Sequence, residues 1–353
     1  MSAADDSFGQ EPESAVSLPD LRGSILASVS RSFYLSIRLL PKKLRDPVSL
    51  GYLLARASDT IADTTELPIE LRTEKLRLLA RGIQGETLGD AIVDLSAALA
   101  PLQKNKAERA LIKSLQPCLD WLEQSDVLDR EEVRTVLEPI NRGQILDLER
   151  FRDPKRIVAL ETSAELDEYT YLVAGSAGEF WTRLCFRHLR KFATRSEDEM
   201  LATAKRYGMG LQLINILRDA GTDLRAGRCY FPDDELAVAA MEPSQILREP
   251  ERFQPIYGKW REKAERGIEA GLQYARAIRN RRVRTATVLP ALIGARTLAV
   301  LRDAGATALR RHIKVPRREV RAIVVSLVLG FGARSRIESL YRVLRDNRSP
   351  YKK

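Results

Sequence analysis

Apolar residues in this chain recur three and four apart almost without interruption, in stretches such as "LRTEKLRLLARGI", "ERALIKSLQPCLDWLEQ" and "GLQYARAIRNRRV". That spacing lays an apolar stripe along one side of an α-helix. Strand-like alternation bounded by turn residues is nearly absent. The expectation is therefore a single all-α domain of many helices packed on one another. Breaks are expected at Pro41 and Pro47, around Pro68, at "DPKR", at "RAGRCYFPDDE" and at Pro243, Pro250 and Pro255. The polar, acidic start "MSAADDSFGQEPES" is unlike a signal peptide. Residues 1–18 read as a disordered tail, 19–345 as the helical domain and 346–353 as a basic C-terminal tail.

The net charge is +10, from 58 basic and 48 acidic residues. Such a balance suits nucleic acid, anionic lipid or a phosphorylated small substrate. Basic residues are interleaved with acids, and no RNP-like aromatic run or zinc-finger spacing occurs, which sets nucleic acid aside. Cys118, Cys185 and Cys229 form no CxxC pair, the pattern of a reducing, cytoplasmic compartment. With only His188 and His312, any metal site must use oxygen ligands, which favours Mg²⁺, Mn²⁺ or Ca²⁺. The longest apolar run, "AIVVSLVLGFGA", is too short to cross a bilayer, so no transmembrane helix is expected. Peripheral membrane contact stays open through the basic end "YRVLRDNRSPYKK".

The chemistry is carried by a repeated motif. "SDTIAD" places Asp59 and Asp63 four apart in the apolar helix "GYLLARASDTIADT", and "GLQLINILRDAGTDLRAGRCYFP" places Asp219 and Asp223 at the same spacing. Residues four apart share one helix face, where like charges repel. An arginine precedes each pair: Arg56 lies before Asp59 and Arg218 before Asp219. Two such helices facing one another would line a cavity suited to Mg²⁺-bridged diphosphate, with guanidinium taking the remaining charge. Intrahelical ion pairs are the alternative reading of each arginine and its aspartate.

These stretches, with "SRSFYLSIRLLP" and "DEYTYLVAGSAG", resemble the squalene/phytoene synthase family, the head-to-head trans-isoprenyl diphosphate synthases, over roughly residues 20 to 300. The resemblance implies an all-helical isoprenoid-synthase fold with a central cavity. It implies Mg²⁺ and two molecules of farnesyl diphosphate or a longer prenyl diphosphate. By the same resemblance Asp59, Asp63, Asp219 and Asp223 are the metal-binding aspartates, and Arg56 and Arg218 contact diphosphate. Ser30, Arg31 and Ser32 match a flap near the diphosphate, while Tyr52 and Tyr169 match tyrosines near the carbocation. Gln212, Asn215, Arg228 and Tyr230 match further substrate-binding positions.

The sequence looks closest to bacterial-type squalene synthases, which would add NADPH as reductant. Dehydrosqualene, phytoene and presqualene diphosphate synthases are the enzyme alternatives, and a helical lipid-binding or scaffold protein is the non-enzyme one. Ala286 and Thr287 stand where animal squalene synthases carry an aromatic residue and a cysteine, a departure that bears on the reductive half. Phe33, Tyr34, Leu35, Leu53, Leu54, Val173, Ala174, Leu211 and Ile214 flank the polar motifs and are candidates for a water-poor wall.

Overall fold

A computed structural model describes residues 16–30, 32–153, 155–311, 313–330 and 332–346, apart from the side chains of Ser32 and Leu35. Expectations on Arg31, His312, the first fifteen residues and those after 346 fall outside this range. The fold is all-α. Its principal helices are α1 (Ser32–Leu39), α2 (Lys42–Ala62), α3 (Ile69–Ile83), α4 (Val127–Arg150), α5 (Ser163–Thr170), α6 (Ser176–His188), α7 (Glu197–Arg225), α8 (Gln254–Ala277), α9 (Arg281–Ala304), α10 (Arg317–Leu329) and α11 (Arg334–Arg345). The first helical turn begins at Leu18, capped by Ser17, so ordered chain reaches into the stretch read as a tail.

Local chemistry sets the helix limits. Ser196 and Glu199 form a reciprocal capping box at the start of α7, where Glu197, Asp198 and Glu199 also meet the positive end of the helix dipole. Asp126 accepts from the backbone N–H groups of Leu128 and Asp129 to start α4. One expected break is not a break. Pro47 lies inside α2, whereas Pro255 marks the start of α8, in a first turn where a missing N–H costs least.

Two short strands depart from the helical expectation. β1 (Val158–Leu160) pairs in parallel with β2 (Arg228–Pro232), with an irregular register after Ala159. Among the described residues these form the only sheet.

Two apolar cores meet along a seam. Leu50, Leu53, Leu54 and Ile61 of α2 belong to one, and Leu213, Ile214, Leu217 and Leu224 of α7 belong to the other. Within the seam lies an apolar cavity of about 250 Å³, lined by Phe33, Val173, Ala174, Trp181, Leu211 and Pro290 among others. A larger groove of about 450 Å³ beside Arg22, Trp121 and His188 is mixed in polarity and adjoins the start of α2, away from its acidic end. The wall segment Tyr171–Gly175 is a π-helical turn, a feature frequent at functional sites.

Small residues bring the cavity walls together. A Cβ on Gly208 would stand 2.2 Å from the Ala174 carbonyl oxygen, and one on Gly178 would stand 2.3 Å from that of Ala204. Both obstacles are main chain and cannot rotate away. Gly208→Ala is therefore expected to lose about 1–2 kcal/mol, overlap outweighing the helix propensity that alanine returns. A lower urea midpoint at unchanged slope checks this.

The stretch Arg281–Leu309 is long and apolar enough to cross a membrane by length and composition, against the expectation that none is. Most of its apolar window, 83%, is buried inside the fold. Scattered arginines such as Arg296 break it into runs that look short in the sequence. Cys118, Cys185 and Cys229 are buried and unpaired.

Candidate active site

Both aspartate pairs sit at helix C-termini. Asp63 caps α2, with Asp59 one turn earlier, and Asp219 and Asp223 occupy the last turns of α7. A helix C-terminus carries partial negative charge, so carboxylates there are disfavoured twice, by the dipole and by each other. Local stability does not account for them.

A chain of contacts joins the two pairs. From α4, Gln144 donates to Asp59 (Nε2 to Oδ1, 3.4 Å). One turn on, Asp147 accepts from the Tyr230 hydroxyl at 2.7 Å and lies 3.9 Å from Arg228. Arg228 in turn donates to Asp223 at 3.0 Å. β2 explains why Arg228 and Tyr230 act together: side chains two apart on a strand share a face. Cys229 and Phe231 point the other way, where Phe231 packs edge-on against Phe253 at 4.8 Å. Tyr169, at the end of α5 and 8% exposed, stacks on Tyr230 with ring centroids 5.1 Å apart.

Electrostatics register the crowding. Burial, then the neighbouring Asp59, raises the Asp63 carboxyl to about 6 although its side chain opens to solvent, as befits the mouth of a cleft. Burial likewise raises Asp223 to about 6, opposed by Arg228 and reinforced by Asp219. Asp59 and Asp147 are also shifted upward by burial. The Tyr169 and Tyr230 phenols are held well above the usual range, again mainly by burial, so both are neutral at any working pH.

The arginines expected to grip diphosphate are ion-paired: Arg56 to Asp59 and Glu108, Arg218 to Asp219 at 3.0 Å. Yet of the six buried guanidinium donors that lack a hydrogen-bond partner among the described residues, four belong to arginines in reach of the acidic cluster, Arg56 Nε, Arg72 Nε, Arg150 Nη1 and Arg228 Nε, while Arg130 Nε and Arg261 Nε lie elsewhere. Arg72 is in electrostatic reach of Asp63 and Arg228, and Arg150 of Asp147. A buried N–H without an acceptor is costly, and several around one cleft fit an anion with many oxygens. The donor set for a cation is all oxygen. Among the described residues no three acidic, histidine or cysteine groups converge as one cage. An all-oxygen donor set suits Mg²⁺, which takes one or two carboxylates and completes its shell with water and phosphate oxygens.

Other expected residues stand further out. Tyr52 donates to the Val29 carbonyl at 3.1 Å, and its ring tilts against Phe33 of the cavity wall. Asn215 donates to Gln212 at 3.2 Å on the open side of α7. Ser30 spends its hydroxyl on the Leu26 carbonyl of its own helix rather than on the acidic cluster. The Ser32 side chain lies outside the described residues. Gln144, Asp147, Arg72, Arg150 and Glu108 are not among the residues expected from the sequence. The available signal was the polar series Gln144, Asp147 and Arg150 at helical spacing within "NRGQILDLER".

The squalene/phytoene synthase family profile matches residues 26–319. A bifunctional lycopene cyclase/phytoene synthase from Colletotrichum graminicola is 28% identical over 226 residues, which cover 64% of this chain and 36% of that protein. A squalene synthase from Saccharomyces cerevisiae is 30% identical over 240 residues, covering 65% of this chain and 49% of that one. The chain thus spans about a third to a half of the length of these curated relatives. A solved TcSQS complex with the ligand E5700 shares the fold, with a TM-score of 0.69 at 21% identity, covering 94% of this chain and 99% of the other. With the match running through both acid-bearing helices and most of the residues between and around them, this chain belongs to the squalene/phytoene synthase family.

Proposed function

We propose that this protein condenses two molecules of farnesyl diphosphate head to head, through presqualene diphosphate, to squalene. The observation that carries the reading is the chain of contacts from Asp59 through Gln144, Asp147 and Arg228 to Asp223, reached along α7 about two to three turns beyond the apolar cavity that Leu211 lines. Along α7, Leu211 lines the cavity, and Asn215, Asp219 and Asp223 follow at helical spacing on the same side. Along α2, Tyr52 at the cavity edge is followed by Arg56, Asp59 and Asp63. A prenyl tail is thereby directed inward and a diphosphate toward the acids.

Asp59, Asp63, Asp219 and Asp223 are the residues that would hold Mg²⁺, and when bound it supplies positive charge against the leaving diphosphate. The chain's own groups do the rest. The unpartnered donors of Arg56, Arg72, Arg150 and Arg228 meet the remaining diphosphate oxygens. The neutral Tyr169 ring faces developing positive charge with its hydroxyl held toward Tyr230. The apolar wall keeps water from the cation.

A second reading has its own support. Ala286 and Thr287 line the cavity in place of the bulkier pair named above, and relatives of similar identity are named as phytoene synthases. Incubation with Mg²⁺ and farnesyl diphosphate, with and without NADPH, tests the choice. Squalene formed only with NADPH supports the proposal. Dehydrosqualene in both tubes, or acceptance of geranylgeranyl diphosphate alone with phytoene as product, replaces it. No turnover of either substrate favours a lipid-binding role.

A further inference from the structure

A strong local surplus of positive charge lies outside the acidic cluster. From Arg310 to Ile337 the chain carries eight Lys and Arg against one acid, Glu319, a surplus of seven in a protein of net charge +10. Glu319 is already engaged by Arg296 at 2.7 Å. α10 runs through this segment, burying Ile323 and Leu327. At helical spacing it turns Arg317, Arg318 and Arg321 outward in its first half. In its second half the outward side is aliphatic: Val325 is 54% exposed, Val328 51% and Leu329 73%. Single exposed aliphatics are ordinary, but three within about one turn, beside three outward arginines, are not.

We propose that α10 docks this protein against an anionic lipid bilayer, with Val325, Val328 and Leu329 entering the headgroup–acyl boundary and the arginines meeting lipid phosphates. A helix lying in a membrane interface needs both parts, aliphatic side chains to bury and cations to draw it in. A nucleic acid would use the cations but leave the aliphatics in water. An apolar protein groove would leave the surplus charge uncompensated.

The placement bears on the reaction. The turn after α10 packs on the start of α9, where the Gly332 carbonyl accepts from Arg284 at 2.9 Å. The next α9 residues, Ala286, Thr287 and Pro290, line the apolar cavity. Docking thus sets lipid beside the helix that walls the chamber. That use for a water-insoluble product rests on the function proposed above, whereas docking itself does not.

Co-sedimentation of the full chain with phosphatidylcholine vesicles, with and without about one-third phosphatidylglycerol, tests the surface. The wild type should bind the anionic vesicles at least about tenfold more tightly than the neutral ones, and lose the difference in high salt. V325D/V328D and R317E/R318E, each checked for wild-type circular dichroism, should each weaken binding about tenfold or more. Binding that ignores lipid charge, or that both variants retain, overturns the proposal. So does a dimer in gel filtration that V325D/V328D dissolves, which would assign the face to a second copy. Turnover of farnesyl diphosphate in detergent solution, unchanged in R317E/R318E, reads the catalytic proposal separately.

Discussion

Asp223→Asn is expected to lower turnover of farnesyl diphosphate by about 10²–10³-fold and, at the same time, to raise the melting temperature of the substrate-free protein at neutral pH. The two effects share one cause. Burial lifts the Asp223 carboxyl to about 6, so its charged form is disfavoured in the folded protein relative to the unfolded chain. A carboxylate whose folded value is raised binds more protons folded than unfolded in the interval between its ordinary value and about 6. Stability therefore falls as pH rises through that interval and stays reduced above it. The side chain is only 14% exposed, so at pH 8 the penalty is on the order of 1–3 kcal/mol. Asparagine removes it while keeping a carbonyl oxygen for the Arg228 donor. Melting at pH 8 should rise by a few degrees, and the gain should shrink at pH 5, where the wild-type carboxyl is protonated. Unchanged turnover would remove Asp223 from the reaction, and an unchanged melt at both pH values would remove the electrostatic account.

The carboxylates were legible from sequence because they repeat. A single Asp-x-x-x-Asp on a helix says little, but two, each in apolar surroundings and each near an arginine, describe two halves of one site. The helical fold was legible for the same reason, since every helix carries its own apolar stripe. What escaped is whatever depends on chain segments far apart. β2 has five residues, and its partner β1 lies about seventy positions earlier, so no local periodicity announces it. Arg228 and Tyr230 were therefore named by resemblance, while the strand that turns both toward Asp147 was not anticipated. Gln144, Asp147 and Arg150 look in sequence like the solvated side of a long helix, and only the seam between two cores turns that side inward. Arg72 and Glu108 are single charges on helices full of charges, distinguishable only by what they face. Pro47 reads in sequence as a break because a proline past the first turn forfeits a helix hydrogen bond, and only the packing of α2 carries the helix through it.

Arg228→Gln should cost the substrate-free protein about 2 kcal/mol at pH 8 and recover much of that at pH 5.5. Arg228 is the cation among three carboxylates: it donates to Asp223, stands 3.9 Å from Asp147 and lowers Asp63 from a distance. Removing one member of a fully buried ion pair costs about 3–5 kcal/mol, but this guanidinium is 35% exposed, and solvent screens part of the loss. Without it the three carboxyls titrate higher still, the folded state holds still more protons than the unfolded one, and stability climbs as pH falls. Glutamine keeps a donor amide of similar reach, so a packing defect alone would cost the same at both pH values. Urea denaturation at pH 5.5 and 8 separates the two. On the proposed function, turnover should fall by at least about 10²-fold, because the group that balances the acids is also one whose Nε lacks an acceptor among the described residues and would meet diphosphate oxygens. A stability loss independent of pH would mean that Arg228 is a packing residue, and that the acids are kept apart by something other than the charge it carries.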